Sequence, residues 1–123
     1  MKVFNVTPIG KPRMTQRDRW KNRACVLAYY EFKDTIRDQL GGFVFPNSGS
    51  TVTFFLPPPK SWSKKKRREH ENQPHMVRPD IDNLLKALLD SLFENDSCVW
   101  DVRSRKVYST TPRIEITKSG GGT

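Results

Sequence analysis

The spacing of hydrophobic residues along the chain predicts two main helices. Over 80–93, apolar residues recur every three or four positions, which is the period of one face of an α-helix. Pro79 precedes this stretch and Asp80 is a favourable N-cap, so we predict that the helix begins at this point. A mixed helical period predicts another helix within Arg17–Leu40, and Gly41-Gly42 is expected to end it.

Runs of β-branched and aromatic residues predict short strands. The predicted strands are Lys2–Val6, Thr51–Leu56, Cys98–Trp100, Val102–Tyr108 and Arg113–Thr117. Three prolines follow Leu56, and residues 57–79 are expected to form a long, mobile basic loop. The pattern predicts an α+β (mixed α/β) fold, with a small β-sheet and two main helices in one domain over residues 1–118. The glycine-rich residues 119–123 are expected to be a disordered tail.

Composition indicates a polyanionic partner. The 123 residues include 22 Lys and Arg against 13 Asp and Glu, which gives a net charge of +9. Nucleic acid is the commonest partner of such a protein, and a membrane surface is the weaker alternative. No apolar run approaches the roughly 20 residues that span a bilayer, and no apolar signal region begins the chain, so we expect a cytoplasmic protein. Cys25 and Cys98 are expected to be free, partly buried thiols.

Negative charge is nevertheless concentrated where the helix over 80–93 is predicted to begin. Asp80 and Asp82 lie two residues apart, and Lys86 and Asp90 follow at intervals of four residues. In a purely structural interpretation, Asp80 caps the helix. Asp82, Lys86 and Asp90 then form ion pairs along one face, each worth about 0.2–0.5 kcal/mol. The local pattern alone does not decide between this interpretation and a chemical one.

Two further features favour chemistry. Asp96 follows the helix, and if the chain folds back, Asp96 can return to Asp80 and Asp82. Three converging carboxylates repel one another unless a cation lies between them, and Mg²⁺ and Mn²⁺ prefer oxygen ligands of this kind. The surrounding basic surface could hold phosphate, and a metal there could promote phosphodiester hydrolysis. Lys86 could then stabilise the negative charge that develops in the transition state.

The residues from Pro79 to Lys86, with Asp90 and the turn Asn95–Val99, resemble the signature of RusA-like Holliday junction resolvases. Gly10–Thr15 resembles the N-terminal basic turn of that family, and residues 106–108 and 113–116 resemble its closing strands. The resemblance covers most of the chain, and its specific part is the pattern Asp-x-Asp-Asn-x-x-Lys. It implies a RusA-like fold and an endodeoxyribonuclease encoded by a phage or prophage. It also implies a homodimer that nicks four-way junctions or related branched DNA symmetrically with Mg²⁺ or Mn²⁺, in DNA recombination and repair.

Carried over by position, the resemblance implies roles for individual residues. The implied metal ligands are Asp80, Asp82 and Asp96, and Lys86 would complete the catalytic set. The implied supporting residues are Asn83, Asp90 and Asn95, and Asn95 stands where the family often has an acid. The residues expected to bind DNA are Lys11, Arg13, Arg17, Lys64, Lys65, Lys66, Arg67, Arg68 and Arg78.

Alternatives remain open for the segment 57–79 and for the whole chain. The basic run can contact phosphate or form a solvated surface, and Trp62 can stack on an exposed base or anchor the loop. His70 and His75 have no cysteine partners, and we expect them in the loop near phosphate rather than at a zinc site. The competing function is a non-catalytic nucleic-acid-binding module in which the acids only cap and pair.

Overall fold

The computed structural model describes residues 1–12 and 24–118, in which four strands form one sheet and two main helices pack against it. The elements follow in the order β1 (Lys2–Phe4), α1 (Ala24–Asp38), β2 (Ser50–Leu56), α2 (Lys64–Glu69), α3 (Ile81–Leu92), β3 (Val102–Tyr108) and β4 (Arg113–Lys118). The predicted α+β fold is confirmed.

The sheet has the strand order β1-β4-β2-β3, and its one parallel pair of strands determines where α3 lies. β2 and β3 run parallel, with Ser50 opposite Val102 and Leu56 opposite Tyr108, while the other pairs are antiparallel. Parallel neighbours need a long crossover, and here it contains α2 and α3. The start of α3 therefore lies beside the last residues of β3. The end of α3 lies beside the first residues of β2 and β3.

The core lies between the sheet and the two long helices. Leu84 and Leu88 of α3 are completely buried with Phe54 of β2, Ile114 of β4 and Phe4 of β1. Burying each leucine side chain contributes about 1.5–3 kcal/mol relative to leaving it in water. Packing of this apolar face, as the spacing over 80–93 predicts, is what fixes the position and rotation of α3.

Most predicted element boundaries agree with the structure, but the strand at Cys98–Trp100 is wrong. The Val99 amide donates to the carbonyl of Asp96 (3.0 Å), and the Trp100 amide donates to the carbonyl of Asn47 (3.1 Å). These bonds make a turn and a loop contact, so the residues join no sheet ladder. The predicted break at Gly41-Gly42 is confirmed, since both glycines have positive φ, of 55° and 82°.

The expectation of a loop throughout 57–79 is also wrong, because Lys64–Glu69 is helical. Ser63 caps α2: its Oγ accepts from the Lys66 amide at 3.1 Å. Trp62 lies 5.2 Å from Tyr108 and 4.5 Å from His70 between ring centroids. The tryptophan is thus engaged within the protein, as the anchoring alternative for this residue predicts.

After α2, the chain runs antiparallel along the second half of β3. The Asn72 amide donates to the carbonyl of Tyr108 at 2.8 Å, and the His75 amide donates to that of Lys106 at 3.1 Å. Pro74 forms an isolated bridge opposite Val107. These contacts lead the chain directly to the start of α3.

His75 is buried in this segment, so the expectation that it lies near phosphate is wrong. Only 6% of the residue is exposed, and its ring lies 4.6 Å from that of Tyr108. Burial, and then the neighbouring Lys106 ammonium, holds the pKa of His75 below its ordinary value. The folded state therefore disfavours the protonated imidazole.

We expect this histidine to make folding stability depend on pH. The unfolded chain protonates His75 near its ordinary pKa of about 6.5, whereas the folded chain does so only at lower pH. The free energy of unfolding is therefore greatest above that range and falls as pH drops through it. In urea denaturation at about pH 8 and about pH 5, His75→Gln should lose less stability on acidification than wild type. An equal loss in both proteins would exclude His75 as the cause.

Two further observations concern expectations about the cysteines and the membrane. Cys25 and Cys98 are free, as predicted, but both are exposed, so their predicted partial burial is wrong. Among the described residues, no helix combines the length and the apolar character needed to cross a bilayer.

Candidate active site

Two carboxylates at the start of α3, those of Asp80 and Asp82, have no hydrogen bond or ion pair with a described residue. Asp80 is the N-cap residue, with φ −68° and ψ 145°, but its side chain accepts no capping hydrogen bond. Asp82 is exposed in the first helical turn, and its carboxylate has no hydrogen bond or ion pair with any described residue. The positive end of the helix dipole favours both negative charges. Among the described residues, neither carboxylate thus has a side-chain partner that would compete with a cation.

Lys86 lies one turn further along α3, and its ammonium also has no partner among the described residues. The side chain is exposed and forms no ion pair within residues 1–12 and 24–118. The ion pairs of Lys86 with Asp82 and with Asp90, which the purely structural interpretation requires, are therefore not formed among the described residues. A rise of about 1.5 Å per residue places the Lys86 backbone only about 6 Å along the helix from Asp82, on a neighbouring part of the same face.

Asp90 is paired, but with residues from other parts of the chain. Its Oδ2 lies 2.6 Å from the Lys11 Nζ and accepts a hydrogen bond from the Tyr29 hydroxyl at 2.9 Å. Burial raises the pKa of Asp90, but the hydrogen bonds from Lys11 and Tyr29 outweigh it, so the pKa lies below its ordinary value. Asp90 thus joins the N-terminal loop and α1 to α3, which agrees with a supporting role.

Lys11 is correspondingly held against α3 rather than free for DNA. Its ammonium pairs with Asp90, and its backbone amide donates to the carbonyl of Asn83 at 3.1 Å. The adjoining Gly10 packs closely: a Cβ there would lie 3.3 Å from that of Pro79 and 3.4 Å from that of Asn83. This close approach of the loop to the helix start favours glycine, because a Cβ would push Pro79 or Asn83 by a few tenths of an ångström.

An open cleft of about 630 Å³ lies between this loop and the start of α3. The lining residues are Gly10, Lys11, Arg78, Pro79, Asp80 and Asn83. Arg78 is exposed, and no described residue pairs with its guanidinium. The cleft therefore contains the Asp80 carboxylate and the Arg78 guanidinium, and neither pairs with a described residue. A carboxylate can bind a metal and a guanidinium can bind a phosphate.

The structure does not bring Asp96 to Asp80 and Asp82 within one chain. α3 has 12 residues and is about 18 Å long; Asp80 precedes it and Asp96 follows it. The loop after the helix stays at the far sheet edge, where the Gly49 amide donates to Asp101 Oδ2 at 3.2 Å. Nearby, Asn95 Oδ1 accepts from the Ser97 amide at 3.0 Å. Asn95 thus makes a local turn contact, and Asp101 contacts the loop before β2. The predicted convergence of three acids is wrong for a single chain.

The remaining acids still fit a divalent metal. No group of three or more His, Cys, Asp or Glu side chains suited to a metal occurs within the described ranges. Mg²⁺, however, is commonly held by one or two carboxylates, with water and substrate phosphate as its other ligands. Asp80 and Asp82 supply two such carboxylates, and no residue in the described part of the chain competes for them.

The predicted basic residues of 64–68 divide into two groups. Lys66 and Arg67 hold α2 in place: the Lys66 Nζ lies 4.5 Å from the Trp62 ring centroid, and Arg67 donates to the carbonyl of Lys60 at 2.7 Å. Lys64, Lys65 and Arg68 are exposed, and only Lys65 has an ion pair, at 4.0 Å with Glu69. These three remain available to phosphate. Arg13 and Arg17 lie outside the described residues.

Sequence reasoning missed Lys106, which fixes the approach to the acids. Its Nζ donates to the carbonyls of Val77 (2.5 Å) and Pro79 (2.7 Å), on both sides of Arg78. Lys106 belongs to the run of polar residues within β3, in which the pattern predicts an ordinary outward-facing side chain. No signal in the sequence indicates that its amine reaches back across the crossover.

Comparison with known proteins assigns the family. The family model described as endodeoxyribonuclease RusA matches residues 5–118. The chain belongs to the RusA endodeoxyribonuclease family. The match includes the cleft, α3 and the strands β2, β3 and β4, and it begins just after β1.

A relative of this RusA-family chain is the uncharacterized protein YqaN of Bacillus subtilis (strain 168). The two are 34% identical over 73 residues, which cover 53% of this chain and 51% of YqaN. The matched stretch thus spans about half the length of that relative. No solved structure matches the chain.

Proposed function

We propose that the protein is a divalent-metal-dependent endonuclease that resolves Holliday junctions and related branched DNA by paired, symmetric nicks. The observation that carries the proposal is that the side chains of Asp80, Asp82 and Lys86 have no partner among the described residues. A module whose acids only cap and pair would use these side chains in the protein, yet Asp80 forms no capping bond and Lys86 forms no ion pair with a described residue. Two carboxylates and an ammonium near the start of one helix can bind a metal and stabilise charge on a phosphate.

Asp80 and Asp82 would hold Mg²⁺ or Mn²⁺ at the start of α3. When bound, the metal supplies Lewis acidity toward the scissile phosphate and its leaving oxygen. Lys86 places a positive charge one helical turn away, where it can stabilise the charge that develops on the phosphate oxygens. Arg78, in the wall of the cleft, orients the phosphate by a charge-assisted hydrogen bond.

The partner would be branched DNA, bound by a homodimer. A net charge of +9 and the exposed Lys64, Lys65 and Arg68 favour a polyanion. A four-way junction offers two equivalent strands, and a two-fold dimer offers two equivalent sites. We further propose a cytoplasmic role in DNA recombination and repair, in a protein of phage or prophage origin. Asp96 remains a candidate ligand only if another copy of the chain supplies it.

The decisive experiment compares junction with duplex. The protein is incubated with a labelled immobile four-way junction and with linear duplex of the same arm sequence, each with and without Mg²⁺. We expect symmetric nicks in the junction alone, and only with metal. Equal binding of both DNAs without metal-dependent cutting would instead establish the non-catalytic module.

A further inference from the structure

Two large apolar side chains stand in solvent beside the candidate active site. Met76 is 84% exposed and Val77 is 59% exposed. Among the large hydrophobic residues that the described structure exposes, they are the only two that are neighbours in sequence. Single exposed apolar residues are ordinary on protein surfaces, whereas adjacent ones at a functional site call for a physical explanation.

The backbone on either side of these residues is held firmly. His75 precedes them, buried against Tyr108, and its amide donates to the carbonyl of Lys106. The Lys106 ammonium then binds the carbonyls of Val77 and Pro79. The apolar pair is therefore presented on a fixed loop, and its exposure does not follow from a loose segment.

The pair is also close to the proposed scissile phosphate. Met76 lies four positions before Asp80 in the chain, so their Cα atoms lie at most about 14 Å apart. Along one DNA strand that distance corresponds to about four nucleotides, at about 3.4 Å each. A strand held at Asp80 therefore has its neighbouring bases within reach of Met76 and Val77.

The surrounding charge favours DNA over another protein copy as the occupant of this surface. Arg78 adjoins the pair without a described partner, and Arg105 is exposed on the neighbouring strand. The exposed cations of α2 belong to the same crossover. Two copies meeting at this surface would bring like charges together, whereas a nucleic acid would neutralise them.

We propose that Met76 and Val77 form an apolar wedge that enters between bases at the branch point of the DNA. The inference rests on the proposed function and deepens it, because it identifies the feature that distinguishes branched from linear DNA. Apolar side chains inserted at a base step offset part of the energy needed to unstack it. Unstacking is easiest where continuous base stacking is already interrupted by strand exchange, so the wedge favours the crossover over continuous duplex.

The test uses the full-length Met76→Ser/Val77→Ser variant and two four-way junctions. One junction is fully paired, and the other carries unpaired bases at the crossover. We expect the variant to cut the paired junction about tenfold or more slowly than wild type, and to cut the pre-opened junction at nearly the wild-type rate. Val44→Ser, which changes another highly exposed apolar residue away from the cleft, should cut both junctions normally. Thermal melting checks that each variant is folded.

Equal slowing of both junctions would overturn the wedge, because it would mean that the substitutions disturb the site itself. Unchanged cutting of both would overturn it as well. Binding separates this proposal from the proposed function. A 2-aminopurine at the crossover should brighten when wild-type protein binds and stay quenched with the double variant. If no junction is cut but brightening still depends on Met76 and Val77, the nuclease proposal fails and the wedge stands; no brightening by wild type overturns the wedge.

Discussion

Asp82→Asn is expected to slow junction cleavage about a hundredfold while leaving junction binding nearly intact. The carboxylate is exposed in the first turn of α3 and has no described partner, so the fold loses no contact when its charge is removed. A metal held by only two carboxylates, however, loses one of them. A loss of about 3 kcal/mol of transition-state stabilisation corresponds to about a hundredfold slower cleavage. Single-turnover cutting of a labelled junction and gel-shift affinity with Ca²⁺ in place of Mg²⁺ measure the two quantities.

The matched control is Asp34→Asn, an equally isosteric change at an exposed aspartate of α1. It alters the net charge by the same amount, so any general electrostatic gain in DNA affinity should appear in both variants. Cleavage by Asp82→Asn at the wild-type rate with Mg²⁺ would remove this residue from the metal site. Loss of binding together with cleavage would show that the carboxylate acts in folding or docking instead.

Lys86→Ala should also cut about a hundredfold more slowly, with nearly unchanged junction affinity. The ammonium is one charge among many on a chain of net charge +9, so its share of binding is small. Its position one turn from Asp82 gives it a larger share in stabilising the transition state. Stability should not fall, because Lys86 has no described ion pair to lose and alanine is the better helix former.

Lys86→Arg and Lys118→Ala distinguish this role from a structural one. Arginine keeps the positive charge but not the compact geometry of the ammonium, so part of the cleavage rate should return. Lys118 is exposed at the end of β4, and its removal costs the same charge without touching the cleft. If Lys86→Ala lowered the melting temperature and Lys118→Ala did not, a structural ion pair would be the better explanation.

The hydrophobic pattern predicted the scaffold of the site well, because burial is what that pattern records. Leu84 and Leu88 repeat at the helical period and are completely buried, and their face fixes the direction in which Asp82 and Lys86 project. The strand at 102–108 is found with the predicted bounds. Both follow from periodicity that is local in the chain.

Contacts between distant parts of the chain could not be read in the same way. A spacing of four residues favoured an ion pair between Lys86 and Asp90. In the structure, the Asp90 carboxylate instead pairs with Lys11 and accepts a hydrogen bond from Tyr29. The return of Asp96 to the acids depended on the route of the chain after α3, which the parallel pairing of β2 with β3 decides. α2 was hidden because its helix is stabilised by a Ser63 cap and by Trp62 rather than by an apolar face of its own.

The short segment that runs along β3 before the active site has a consequence for solubility. β3 is one of the two outer strands of the sheet, and unpaired strand edges allow other chains to pair with them. Residues 72–75 occupy the second half of that edge, with a proline at the bridge, while exposed Arg103 and Arg105 place charge along the first half. The crossover therefore guards the sheet against aggregation with the same residues that deliver Asp80 to the cleft. Shortening the crossover would remove both the protection of this strand edge and the placement of Asp80 at the cleft.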